Sequence, residues 1–171
     1  MTAPTPFTVR LFEDDDVPAL TALLHEGYAE LGAMGLNFTA VDQTEATTRY
    51  RAGAGRCWVV EHEGALVATL TVAPTPSEPL QEMTAEACVP HRAWLNQMAV
   101  SPRLRGQGLA RDLWRCGLAW AAEQGATSIG VDTAVPAEHL VRLYAGWGFE
   151  PRDTVHWPGK TYDSLVMVRP L

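Results

Sequence analysis

Some segments of this chain alternate apolar and polar residues, and others repeat an apolar residue every three or four positions. Alternation predicts strands and the longer period predicts helices, because strand side chains point to opposite faces whereas helix side chains return to one face after about 3.6 residues. The segments that predict strands are 7–12, 57–61, 65–72, 93–100, 127–133, 149–157 and 161–168. The segments that predict helices are 17–32, 43–51, 106–124 and 136–147.

Polar and glycine-bearing segments mark the ends of these elements. Residues 14–16 are all Asp and precede the first helix, where acidic side chains cap free amides and oppose the helix dipole. Gly64 predicts a tight turn between two strands, and Pro158-Gly159 predicts a type II turn in the last hairpin. Residues 74–79 are proline-rich and predict a loop, whereas residues 81–91 favour neither helix nor strand.

The resulting order is strand, two helices, hairpin, strand, helix, strand, helix and hairpin. This order predicts an α/β fold with a mixed central β-sheet flanked by about four helices. No repeat or linker divides the chain, so we expect a single domain over residues 1–171, in which residues 1–6 are flexible.

Composition narrows the class of protein. The chain is 47% apolar and 19% charged, which allows a real core. No apolar run approaches the roughly 18 residues that span a membrane, and residues 1–6 lack the basic and apolar regions of a secretory signal. We therefore expect a soluble, cytoplasmic protein with no membrane partner. The net charge of −7 also argues against a nucleic-acid partner, since such a protein is expected to be basic.

The three cysteines, Cys57, Cys88 and Cys116, are odd in number and far apart. No Cys-x-x-Cys pair or Cys/His cluster is present, so we expect neither a disulfide framework nor a metal site. The simplest interpretation is three reduced, mostly buried thiols.

The most informative segment runs from Val100 to Ala110, where a strand ends and a basic turn opens a long helix. A helix N-terminus presents unpaired amides and a partial positive charge. Gly106 and Gly108 lack Cβ atoms, so a diphosphate can approach the backbone closely. Arg103 and Arg105 add formal charge nearby.

Other interpretations of this turn are open on the residues alone. A Walker loop needs a Gly-Lys pair that the segment lacks. A dinucleotide-binding fingerprint needs a third small residue where Arg111 stands, although Asp132 sits where a ribose-binding acid would be expected. The turn could also simply begin a helix.

Two blocks of sequence resemble the GNAT superfamily of N-acetyltransferases. Its first signature is Gln or Arg, two residues, Gly, one residue, and Gly or Ala, after a strand that ends in Val-x-Pro. Residues 103–108 match each specified position, and Val100-Ser101-Pro102 precedes them. The second block, Leu-Tyr-x-x-x-Gly-Phe, is present as residues 143–149.

This resemblance implies a GNAT-like fold whose two central parallel strands splay to admit the pantetheine arm of acetyl-CoA. It implies backbone contacts to pantetheine and an amide near Met98 that stabilises the oxyanion. The implied acetyl-CoA-binding residues are Met98, Ala99, Val100, Arg103, Arg105, Gly106, Gln107, Gly108 and Leu109. Family members often place Asn where Ala137 stands, so Thr133 is the alternative pantetheine contact.

The resemblance also implies that Tyr144 protonates the leaving thiolate. The family often carries a Glu on the strand before the turn, but residues 94–97 contain no carboxylate, which leaves Glu82, Glu86 and His91 as candidate bases. Trp94 and Trp157 are candidates for a substrate wall.

The predicted activity is transfer of an acetyl group from acetyl-CoA to a primary amine, on a small molecule or a peptide, by direct attack in a ternary complex without a metal. The alternative is a catalytically silent acyl-CoA-binding or regulatory domain. Many relatives pair through their terminal strands, which implies a homodimer.

Overall fold

The computed structural model describes residues 6–171 and places seven strands and five α-helices in them. The strands are β1 (Thr8–Leu11), β2 (Arg56–His62), β3 (Ala65–Ala73), β4 (Arg92–Val100), β5 (Ser128–Ala134), β6 (Glu150–Val155) and β7 (Ser164–Pro170). The helices are α1 (Val17–Ala33), α2 (Glu45–Gly53), α3 (Glu78–Met83), α4 (Leu109–Glu123) and α5 (Glu138–Gly146). The predicted flexibility of residues 1–6 lies outside the described residues, except at Pro6.

The strands form one mixed sheet in the order β1-β2-β3-β4-β5-β7-β6. The pair β4 and β5 is parallel, and the other neighbours are antiparallel. Their pairing covers only residues 92–94 with 128–130, although β4 runs on to Val100. The two strands therefore separate beyond Trp94, which confirms the predicted α/β fold with splayed parallel strands.

A bulge in β4 lies within the separated part. Asn96 and Ala99 pair with Thr71 and Thr69 of β3, so the register shifts between them. Gln97 occupies the bulge with a φ of +45°, a conformation that residues other than glycine rarely adopt. The bulge breaks the alternation of β4, so that the Gln97 side chain lies on the same sheet face as α2, where Gln43 donates a hydrogen bond to it.

The two faces of the sheet are covered by different helices. Helix α4 packs on β2 and β3, and its Gly117 allows a close approach, because a Cβ there would lie 2.8 Å from a methyl group of Val72. Helices α1 and α2 cover the opposite face, where Leu20 and Leu24 pack with Val59. Burial of these apolar faces is the main stabilising contribution to such a fold.

Three details differ from the sequence-based expectations. Helix α4 begins at Leu109 rather than Gly106, because Gly106 and Gly108 both adopt a φ of +81° and cannot continue a right-handed helix. Helix α3 forms where a loop and an ambiguous segment were predicted, with proline in its first turn. Cys57 is buried and Cys116 half-buried, but Cys88 is exposed.

Within residues 6–171, none of the helices is both long enough and apolar enough to cross a bilayer. The same residues contain no group of three or more His, Cys, Asp or Glu side chains arranged to hold a metal ion.

Candidate active site

A cleft of about 760 Å³ opens where β4 separates from β5. Its walls come from α1, the end of β4, the turn before α4, and α5. Eight of the predicted site residues line it: Met98, Ala99, Val100, Arg105, Gly106, Gln107, Gly108 and Leu109. The other three predicted residues, Arg103, Thr133 and Tyr144, do not line it.

The floor at the α4 end of the cleft is a row of unpaired backbone amides. Within the described residues, the amides of residues 106–108 donate to no backbone carbonyl. The first amide bonded back along the helix belongs to Asp112, which donates to the Gly108 oxygen at 3.0 Å, so residues 109–111 also present free N–H groups. Gly106 and Gly108 would each place a Cβ in open space, in the volume beside these amides. This arrangement suits a diphosphate.

The two arginines of the turn have different positions. Arg105 lies at the cleft and donates to the Glu30 carboxylate at 2.9 Å and to the Gly27 carbonyl at 3.2 Å, which ties the turn to α1. Arg103 is 85% exposed and only approaches Glu26 at 4.0 Å. Of the two, only Arg105 lines the cleft, and its contact with a diphosphate stays a prediction.

Helix α1 holds the free end of β4 in place. The Tyr28 hydroxyl donates a hydrogen bond of 2.7 Å to the Met98 carbonyl, and burial raises the pKa of Tyr28 above its ordinary value. Gly27 lies directly over Ala99, where an added Cβ would come within 3.2 Å of the Ala99 methyl group. The free end of β4 is thus fixed from one side.

Tyr144 lies on α5 with its ring inside the core, only 5% exposed. It packs edge-on against Trp147 and Phe149, each at a centroid distance of 5.9 Å. Among the described residues its hydroxyl has no hydrogen-bond partner. Burial, followed by the charges of Tyr28 and Asp132, raises the pKa of Tyr144 well above 10. Its role as the acid stays a prediction.

Thr133, on β5, is the other buried residue of the predicted site that does not line the cleft. It is buried, and its hydroxyl oxygen has no hydrogen-bond partner among the described residues. An orphaned buried hydroxyl beside the separated strands is compatible with a contact to a bound molecule, and that contact also stays a prediction.

On the face of the sheet that α1 and α2 cover, Asp132 is held by two indoles. The Trp94 and Trp157 N–H groups donate to its two carboxylate oxygens, each at 2.8 Å. Each carboxylate oxygen thereby accepts one hydrogen bond within the protein, and the interpretation of Asp132 as a ribose-binding acid stays untested. Trp94 is 1% exposed and packs over Gly130, so the expectation that it forms a substrate wall is wrong.

A buried polar chain connects α2 to the bulge of β4. The Arg51 guanidinium donates to the Gln43 side-chain oxygen at 3.0 Å, and the Gln43 amide donates to the Gln97 side-chain oxygen at 3.0 Å. Gln43 and Gln97 are each 5% exposed. This polar chain could not be predicted from the sequence, because its members lie on α2, just before α2 and on β4, and none belongs to a motif.

On the same side of the molecule, the loop after α1 and the loop between β6 and β7 are joined by hydrogen bonds. Asn37, after α1, donates to the Gly159 carbonyl at 2.9 Å and accepts from the Thr161 amide at 2.9 Å. The Lys160 ammonium donates to the Asn37 carbonyl at 2.7 Å. These contacts bring the loop after α1 and the last hairpin together.

The predicted candidate bases are not gathered at the cleft. Glu82 is exposed on α3, and the Glu86 carboxylate is paired with Arg92. His91 precedes β4, at the end of the strand opposite to Met98 and Val100. None of the three lines the cleft.

Comparisons with known proteins agree with this geometry. Residues 19–149 match the model of the Acetyltransferase (GNAT) family. The chain belongs to this family, which confirms the resemblance carried by its two sequence blocks.

Individual relatives fit the same assignment. N-acetyltransferase 8F1 from Mus musculus is 30% identical over 110 residues, which are 64% of this chain and 46% of that protein. N-acetyltransferase 8B from Homo sapiens is 31% identical over 110 residues, 64% of this chain and 45% of that protein. The chain spans about half the length of these curated relatives.

The fold is also that of solved acetyltransferases. The crystal structure of the ribosomal-protein-S18-alanine N-acetyltransferase from Escherichia coli superposes with a TM-score of 0.72 at 18% identity, covering 96% of this chain and 94% of that one. At this identity the likeness shows the fold.

Proposed function

We propose that this protein transfers the acetyl group of acetyl-CoA to a primary amine by direct attack in a ternary complex. The observation that carries the proposal is the row of free amides over residues 106–111, which lies beside the unpaired edge of β4. One feature accounts for a diphosphate and the other for an extended, amide-bearing arm, and acetyl-CoA contains both.

The residues of the cleft have separable tasks in this proposal. The amides at the start of α4 and the Arg105 guanidinium hold the diphosphate. The backbone of residues 98–100 holds the pantetheine arm as an added strand, in the manner of β-augmentation. When bound, acetyl-CoA supplies the activated acetyl thioester.

Transfer forms a bond from the amine nitrogen to the acetyl carbon and breaks the carbon–sulfur bond. The attacking ammonium must first lose a proton, which at pH 7 costs roughly 4–5 kcal/mol for an amine with a pKa of about 10.4. One further proton leaves the nitrogen as the amide forms, and one proton reaches the departing thiolate. Placing both substrates side by side supplies much of the remaining rate enhancement.

Tyr144 is the proposed donor of the proton to the thiolate: its side chain does not line the cleft, but its phenol is close enough to that of Tyr28, which does line the cleft, for the two to interact through their charges. Burial raises its pKa well above 10, so the phenol keeps its proton throughout the neutral range and remains available as a donor. The candidate bases Glu82, Glu86 and His91 do not line the cleft, so in this proposal the proton taken from the ammonium passes to water rather than to any of these three side chains.

The experiment combines binding with turnover. Calorimetric titrations with acetyl-CoA, CoA and NAD should show binding of the two CoA compounds and none of NAD. A panel of primary amines should then release free thiol in equal amount to acetylated product. Tight CoA binding without transfer to any amine would favour the silent acyl-CoA-binding domain, and binding of NAD instead of CoA would contradict the proposal outright.

A further inference from the structure

Arg51 is a cation whose hydrogen-bonding capacity is largely unused among residues 6–171. It lies on α2 and is partly exposed, and within the described residues no carboxylate forms an ion pair with it. Its only hydrogen bond among those residues uses one of five N–H donors, toward the Gln43 side-chain oxygen. Burial lowers the pKa of Arg51 below its ordinary value, which marks an environment poor in water.

An unpaired guanidinium in such a place is costly unless a partner arrives. Buried charges are usually paired, because desolvation without compensation is strongly unfavourable. The next members of the same polar chain do not provide a partner. Gln43 already donates to Thr48 and Gln97, and the Gln97 side-chain nitrogen is itself a buried donor without an acceptor. This polar chain therefore contains hydrogen-bond donors that have no acceptor.

Arg51 lies on α2, on the face of the sheet that α1 and α2 cover. The phenols of Tyr28 and Tyr162 and the Asp132 carboxylate are close enough to act on its charge. Tyr28 also lines the cleft, so Arg51 lies near one wall of the cleft. Gln97 is on β4 itself, one residue before Met98.

A second cation lies at the rim of this region. Burial, followed by the charge of Arg51, lowers the pKa of Lys160, whereas the nearby Asp42 carboxylate raises it, so Arg51 and Lys160 are close enough to repel each other. The Lys160 ammonium donates to the Asn37 carbonyl and the Thr39 hydroxyl, and no carboxylate pairs with it among residues 6–171. The region therefore favours an anionic group, although the protein as a whole is acidic.

Asp132 places a negatively charged side chain in the same region as Arg51 and Lys160. Its carboxylate sits on β5 just past the last residue paired with β4 and is fixed by the Trp94 and Trp157 indoles. A fixed negative charge there attracts an ammonium, while Arg51 attracts an anion. The Arg51 guanidinium and the Asp132 carboxylate are too far apart to form an ion pair with each other.

We infer that the acceptor is an amino acid, whose carboxylate is held by Arg51 and whose amino group approaches the separated strands from the side of Asp132. This inference rests on the proposed acetyl transfer and specifies its substrate class. An ionised carboxylate is an acceptor of hydrogen bonds only and matches the planar donors of arginine in two parallel bonds. Arg51 is thus a specificity-determining residue and takes no part in the proton transfers.

The test uses matched sets of three amines that differ only in the carboxyl group: a free amino acid, its amide, and the corresponding decarboxylated amine. Sets with apolar, aromatic and polar side chains are each assayed with the wild type, with Arg51→Met, and with Arg49→Met as the control. Arg49 lies on the same helix but is exposed and paired with Asp14. The wild type and Arg49→Met should prefer the free acid in at least one set, by at least tenfold in kcat/KM.

Arg51→Met should remove that preference by raising KM for the free acid at least tenfold, while kcat/KM for the amide changes less than threefold. Equal losses for acid and amide would show that Arg51 is merely structural and would overturn the inference. A wild type that prefers the amide or the decarboxylated amine in every set would also overturn it. Arg51→Lys, which keeps a charge but loses the planar fork, should restore part of the preference.

Failure of this inference can be told apart from failure of the proposed function. Each variant is first checked for thermal unfolding and for CoA binding, which should be unchanged because the CoA cleft lacks Arg51. Free amino acids are also titrated calorimetrically into the enzyme–CoA complex. Binding that Arg51→Met abolishes supports the inference even without turnover, whereas no binding of any amino acid contradicts it. Absence of acetyl transfer to every amine with CoA bound contradicts the proposed function instead.

Discussion

The Tyr28 hydroxyl donates a hydrogen bond of 2.7 Å to the Met98 carbonyl, across 70 residues of sequence. This bond joins the middle of α1 to the part of β4 that has left its parallel partner. A strand end without a neighbour on one side would otherwise expose unpaired backbone groups. The contact therefore fixes the edge on which the pantetheine arm is proposed to lie.

Replacement of this tyrosine tests whether the position of the strand end matters. Tyr28→Phe leaves the Met98 carbonyl without its partner and should lower the free energy of unfolding by about 1 kcal/mol. It should also raise KM for acetyl-CoA several-fold, because the strand edge is less well fixed. Steady-state kinetics and chemical denaturation measure both effects. Tyr50→Phe is the control, since Tyr50 is 79% exposed, and it should alter neither.

The glycines at the two ends of α4 separate backbone strain from phosphate binding. Gly108 and Gly125 both have a φ of +81° and open space around the Cβ position. Alanine at either site should cost about 1–2 kcal/mol of stability, because left-handed backbone is unfavourable with a Cβ. Only Gly108→Ala should also weaken CoA binding, by at least tenfold in calorimetry, since Gly125 lies at the opposite end of the helix. Equal CoA affinity in both variants would contradict the placement of the diphosphate.

The pKa of Tyr144 leads to an expectation for the pH dependence of turnover. Because burial raises the pKa well above 10, the phenol is protonated across the neutral and mildly alkaline range. Tyr144→Phe should therefore lower kcat by about 100-fold, and by the same factor at every pH from about 6 to 9. Its stability should change little, since the hydroxyl makes no hydrogen bond among the described residues. A factor that shrinks steadily as the pH rises through this range would show that the group titrates there and would contradict the assignment.

Arg10 and Asp16 form a bidentate pair that should make stability depend on pH. The guanidinium donates to the two carboxylate oxygens at 2.7 and 2.8 Å, and this contact lowers the pKa of Asp16 below 3.8. The stabilisation is therefore complete above pH 3.8 and is lost as the pH falls through the lowered pKa. Asp16→Asn should reduce the free energy of unfolding at pH 7 by about 1.5–3 kcal/mol, with the difference from wild type disappearing in strong acid.

The exposed pair of Asp14 and Arg49 provides the control for that measurement. Both side chains are more than half exposed, at 71% and 54%. Ion pairs in water contribute little, so Asp14→Asn should change stability by less than about 1 kcal/mol at any pH. A comparable loss in both variants would mean that the Asp16 effect is not specific to its pairing with Arg10.

Much of the fold could be predicted because local signals agree with the tertiary structure. The largely apolar runs over residues 57–60 and 65–72 and the Gly64 turn between them define a hairpin without any distant contact. Pro158-Gly159 similarly predicts its turn, in which Gly159 has a φ of +78° and Lys160 donates to the Trp157 carbonyl. Helix α3 was missed because it is short and stabilised by packing of Leu80 rather than by its own periodicity.

The two halves of the proposed site also differ in whether local sequence patterns predict them. The phosphate-binding half lies in one continuous segment, so its glycines and basic residues could be found by spacing alone. The proposed acceptor half draws on Arg51, Gln97 and Asp132, which lie on α2, at the bulge of β4 and on β5. No local pattern in the sequence encodes that arrangement, and the indoles that hold Asp132 come from β4 and from the loop after β6.

The most direct test of the account is a crystal structure of the protein with bound CoA. The account predicts diphosphate oxygens within about 3 Å of the amide nitrogens at the start of α4, and the pantetheine arm alongside residues 98–100. A diphosphate bound anywhere else on the molecule, with these amides left to solvent, would contradict it.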